Sequence, residues 1–83
     1  VHVPTLLQSY TRAAEVEGQG ATLDAVLRDL DARYPGLRFR IIDEQDRLRP
    51  HMRLFVRSQD TRDLATTVSD GDEVHIVGAL SGG

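Results

Sequence analysis

The group with the most chemistry in this 83-residue chain is the carboxylate of Gly83, where the sequence closes as Ala79-Leu80-Ser81-Gly82-Gly83. A carboxylate is a poor electrophile until a partner activates it. Adenylation would make AMP the leaving group; sulfide could displace it to give a thiocarboxylate, or a persulfide could displace it to give an acyl disulfide that a thiol then reduces to the thiocarboxylate. The sulfur of a thiocarboxylate is nucleophilic at neutral pH. Such chemistry inside a partner's active site needs a thin tail that bends easily. Glycine lacks a Cβ and has the widest backbone freedom, so Gly82 and Gly83 suit the task. Ala79 and Ser81 are also small, and Leu80 is a possible anchor. Residues 79–83 are therefore expected to form a flexible tail, with Gly82 and Gly83 as its activated end.

No other constellation in the sequence promises catalysis. His2, His51 and His75 are scattered and show no metal-binding spacing. Asp43 with Asp46, and Asp70 with Asp72, offer two carboxylates each, and solvated turns explain both pairs better than a cation does. Phosphate-binding glycine loops and serine-nucleophile motifs are missing. The expectation is a protein that is not an enzyme, with no catalytic residue, no metal and no bound cofactor. ATP would be consumed by the activating partner, and the thiocarboxylate at Gly83 would be the covalent product.

Composition narrows the setting. A chain of 83 residues makes one small domain with a modest core. Its 40% hydrophobic and 28% charged residues fit a globular protein and argue against disorder. The net charge of −3 gives no reason to expect nucleic acid. No apolar run approaches the roughly 18–20 residues that span a bilayer, and with no basic segment followed by an apolar stretch at the start of the sequence, no signal peptide is expected. With no cysteine, disulfides and thiolate chemistry are excluded, and the cytoplasm is the expected location. All ten basic residues are arginine, so the chain cannot itself accept an isopeptide bond on lysine. A free monomer is expected.

The elements that must present the tail follow from patterning. Val1-His2-Val3 is extended until Pro4, which cannot donate to a sheet. Leu6, Leu7 and Tyr10 suggest a packed turn, and Ala14 to Glu17 a half-exposed strand, together making an opening hairpin. Leu23, Val26, Leu27, Leu30 and Tyr34 fall on one face of a helix, with Thr22 as its N-cap and Pro35-Gly36 as its stop. Leu37, Phe39, Ile41 and Ile42 are expected to be partly buried. Met52 to Arg57 reads as a strand with Met52, Leu54 and Val56 toward the core. Arg53, Phe55 and Arg57 would then face outward as a docking patch for a partner, with His75 on the exposed side of the last strand. Ser58 to Asp63 reads as a polar turn, with a short strand or turn near residues 60–65. Asp70-Gly71-Asp72 is a second turn, and Glu73 to Val77 is the final strand. The result is an α+β domain over residues 1–78, a mixed sheet of four to five strands with one main helix. If the first and last strands lie side by side and parallel, the fold is a β-grasp.

These residues resemble the ubiquitin-like sulfur carriers of the MoaD/ThiS family, and most closely the actinobacterial CysO-like carriers that feed cysteine synthesis or sulfur insertion into specialised metabolites. The resemblance rests on Pro4-Thr5-Leu6, on Thr22-Leu23 through Leu30, and on Pro35-Gly36-Leu37. It continues through Leu54-Phe55-Val56 and Asp70-Gly71-Asp72-Glu73-Val74 to Gly82-Gly83. It implies a β-grasp fold, an adenylating partner of the ubiquitin-activating type, a sulfur-accepting synthase and a thiocarboxylate at Gly83. Arg53 and Arg57 stand where these carriers often have an uncharged polar residue, which bears on the choice of partner. The tail lacks the paired prolines common in molybdopterin-synthase small subunits. Two other readings share the same features: a protein modifier joined through Gly83 to target lysines, and an interaction module whose Gly-Gly end is incidental.

Overall fold

Helix α2 (Leu23–Arg33) anchors the computed structural model, which describes residues 1–78. It starts where the sequence predicts, because the Thr22 hydroxyl accepts from the Ala25 N–H at 3.2 Å and satisfies an orphan donor of the first turn. Leu23, Val26, Leu27 and Leu30 are buried. Asp24 in the first turn pairs with Arg28 at 2.8 Å and with Arg38 at 2.8 Å. Gly36, with φ of 93°, ends the unit and admits the chain into a second short helix, α3 (Leu37–Ile41). Only a residue without Cβ takes that conformation at no steric cost. The Asp31 carboxylate accepts from the Gly36 and Arg38 N–H groups and ties the two helices together.

Helix α3 corrects one expectation. Phe39 is not partly buried but 53% exposed. Leu37 and Ile41 are four residues apart, so a helix places both on its inner face and turns Phe39 outward. The Arg49 guanidinium covers the Phe39 ring, 4.6 Å from its centroid.

Three regular strands form an antiparallel sheet in the order β2-β1-β3: β1 (Met52–Val56), β2 (Gln59–Thr61) and β3 (Val74–Gly78). Met52, Leu54 and Val56 of β1 alternate inward as expected, and Val74 and Ile76 do the same on β3. They join the buried leucines of α2, together with Leu37, Ile41 and Ile42, in one cluster. Fully burying such a side chain contributes about 1.5–3 kcal/mol. The polar segment after β1 is not only a turn. Arg57 and Ser58 both take positive φ, 52° and 67°, and the chain folds straight back as β2 with Val56 opposite Gln59. Two consecutive residues with positive φ match the twist of a hairpin, which is why this connection needs no more than two.

The opening hairpin is smaller than predicted. His2 bridges Glu15 on one side and His75 on the other, as single bridges and not as full strands. Pro4 has no N–H to extend the ladder. After it the chain turns through a 3-10 segment, Thr5–Leu7, into α1 (Gln8–Thr11). Regular strands among the described residues therefore number three, not four to five. The bridge between His2 and His75 is parallel, with His2 N–H donating to Val74 O at 2.7 Å and Ile76 N–H to His2 O at 3.0 Å. The first and last segments thus lie side by side, which is the defining arrangement of a β-grasp.

Candidate docking face

The sheet has one face under the helices and one open. Strand alternation sends Arg53 and Phe55 of β1, and His75 and Val77 of β3, to the side away from the buried residues. The register then decides which of them touch. Phe55 stands opposite His75 on one side and opposite Asp60 of β2 on the other, while Arg53 stands opposite Val77. Phe55 is partly exposed and Val77 is 41% exposed. Arg53 Nη1 lies 3.2 Å from Asp60 Oδ2, with both groups largely in water, so the pair costs little to break. An aromatic ring with an arginine two residues away on the same face matches the enrichment of aromatic residues and arginine at protein interfaces.

Arg57 does not belong to this group. The strand ends at Val56, and Arg57 opens the hairpin turn. Its guanidinium lies 2.5 Å from the Asp72 carboxylate and 3.4 Å from Thr67 O. Asp72 also accepts from the Ser69 N–H at 2.8 Å, and that bond, together with Arg57, holds its carboxyl below the usual carboxylate range. Arg57 therefore locks the turn before β3, and of the four residues expected on the face the structure brings together Arg53, Phe55 and His75.

Two neighbours escaped the sequence reading. His2 stacks on His75 with ring centroids 3.9 Å apart and planes within 3°. Only the parallel pairing of distant segments brings them together, so spacing in the sequence carries no trace of it. Val77 was legible through its alternation with Ile76. At the end of β3, the Leu6 side chain lies where a Cβ on Gly78 would go, and Leu6 is 45% exposed. Apolar surface therefore reaches the last described residue. Ala79, Leu80, Ser81, Gly82 and Gly83 lie outside the described residues.

A model of the ThiS family matches residues 1–83. The chain belongs to the ThiS family. Sulfur carrier protein CysO of Mycobacterium tuberculosis is 37% identical over 89 residues, covering 100% of this chain and 96% of that one. Small archaeal modifier protein 3 of Haloferax volcanii is 35% identical over 66 residues, covering 76% of this chain and 71% of the relative. The crystal structure of the BexX/CysO complex from Amycolatopsis orientalis contains a chain that matches with a TM-score of 0.91 at 31% identity, covering 99% of this chain and 96% of that one. This ThiS-family domain thus has the β-grasp fold of CysO. The resemblance drawn from Asp70-Gly71-Asp72-Glu73-Val74 and the closing glycines points to the same family.

Proposed function

We propose that this protein is a sulfur carrier. A partner of the ubiquitin-activating type adenylates the Gly83 carboxylate with ATP, releasing pyrophosphate, and sulfide displaces AMP to leave a thiocarboxylate. The acyl carbon loses the C–O bond to AMP and gains a C–S bond, and ATP supplies the energy. A sulfur-accepting synthase then takes the sulfur, in a pathway for cysteine, a specialised metabolite or a cofactor. The observation that carries this reading is full-length similarity to CysO in a chain that closes on Gly82-Gly83. The face around Phe55 supports it as the surface on which the activating enzyme docks, and a CysO chain assembled with BexX fits a carrier that works by docking. The domain acts as a substrate rather than an enzyme, binds no cofactor of its own for the transfer and works in the cytoplasm. No helix among the described residues is long and apolar enough to cross a membrane.

The test is the intact mass of the protein after incubation with ATP, a sulfur source and the cognate adenylating enzyme. The expected gain is the difference between one sulfur and one oxygen. An unchanged mass, with an enzyme shown to form the adenylate, would refute the assignment. The similarity to small archaeal modifier protein 3 favours a second reading, in which Gly83 is joined to target lysines. Adducts that survive reducing gels would support it.

A further inference from the structure

The open face holds a second cluster, which shares His75 with the docking patch. The parallel bridge sets His2 beside His75. Glu73 precedes His75 by two residues, and the bond from Arg57 N–H to Glu73 O, at 3.1 Å, carries the ladder one residue beyond β3. Residues two apart on a strand share a face, so Glu73, His75 and His2 converge. His2 Nε2 lies 3.5 Å from one Glu73 oxygen, and His75 Nε2 lies 3.8 Å from the other. All three groups have a ligand atom within 4.8 Å of the others. On the far side of the first ring, His2 Nδ1 lies 3.6 Å from a Glu15 oxygen.

We propose that His2, Glu73 and His75 bind a divalent cation of the zinc, cobalt or nickel class. Ligand atoms on tetrahedral zinc, about 2.0–2.1 Å from the metal, stand about 3.3 Å from one another. The separations here are close to that value yet too long for direct bonding: among the described residues, neither ring and neither Glu73 oxygen has a hydrogen-bond partner within the protein. The spacing suits an atom placed between them. Two imidazoles and one carboxylate select borderline cations over magnesium or calcium, which prefer oxygen alone. Glu15, 3.6 Å from His2 Nδ1, is near enough to close in as the outer carboxylate that a ligating histidine needs behind it. The stacked rings hold their lone pairs in parallel planes, which do not meet at one point, so binding rotates at least one of them and breaks the stack. Three protein ligands leave a fourth position open, on the face that Phe55 shares.

Isothermal titration of the full, tag-free chain with zinc chloride tests this. One zinc per chain is expected, with no uptake of magnesium. Truncating a ligand should weaken zinc binding more than the about 10–100-fold typical of an outer partner, so H75A should exceed that range and Glu15→Gln should fall within it. Circular dichroism checks the fold of each variant, and His2→Ala replaces H75A if the latter unfolds. The rotation of the rings should also appear as loss of the stacking shift in the histidine proton resonances. No one-to-one binding, or binding that neither histidine substitution weakens, overturns the proposal. Neither result depends on sulfur transfer, so the carrier assignment stands or falls separately.

Discussion

Phe55 is the side chain on which docking should turn, because it is the phenylalanine of the open face and stands between His75 and Asp60. Truncation of an interface aromatic commonly costs 2 kcal/mol or more, so Phe55→Ala should lower kcat/KM of the activating enzyme for the carrier by about 30-fold. The melting temperature should change little, since the ring is outside the buried cluster. Loss of stability with unchanged kcat/KM would show that the ring serves the fold instead. Asp24 carries a second prediction. Its hydrogen bonds from Arg28 and then Arg38 hold its carboxyl below the usual range. A carboxyl depressed on folding stabilises the native state above its unfolded value of about 3.9, and that contribution disappears as pH falls through the native value. Melting temperature should therefore drop as pH falls below about 4, and Asp24→Asn should flatten that part of the profile. Strand alternation made the exposure of Phe55 and His75 legible. It misled at Arg57, because nothing in Val56-Arg57-Ser58 announces that a strand stops where two ordinary residues take positive φ.

Among the elements, the hairpin between β1 and β2 is the one under conformational load. Ser58 sits at φ of 67° with a Cβ that crowds the backbone there. The left-handed region costs an L-residue about 1–2 kcal/mol, part of which a glycine returns to the more flexible unfolded chain. Ser58→Gly should accordingly raise stability by about 0.5–1 kcal/mol in urea denaturation, with an unchanged m-value. A loss would mean that the serine makes a contact the geometry does not reveal. Helix α2 was legible because its cap, its period and its stop all agreed. Helix α3 was not, since Leu37, Phe39 and Ile41 alternate as a strand would, and five residues are too few for a period to declare itself. The N-terminal hairpin was overestimated for a related reason. Alternation in Val1–Val3 shows which side faces inward, but the length of pairing depends on Pro4 and on what lies across from it.

At the scale of the molecule, the buried core of the described residues runs from Val3 to Ile76. A glycine has no side chain to add to it. Removal of Gly83 should therefore leave the melting temperature within experimental error of the parent while abolishing the gain in mass on sulfur loading. Retained loading would send the chemistry elsewhere. The β-grasp could be inferred from the order of elements and from the family pattern. The meeting of His2 with His75 could not, since it depends on a pairing that spans nearly the whole sequence.

That pairing has a mechanical consequence. Strand β3 is gripped on one flank by the antiparallel ladder of β1 and on the other by the parallel bonds of His2. A pull applied beyond Gly78, directed along the strand, strains both sets of bonds at the same time instead of peeling them one by one. The load is shared, as in a lap joint, and rupture demands that the bonds fail together. A partner that tugs on this domain from its C-terminal side therefore meets both sets of bonds together.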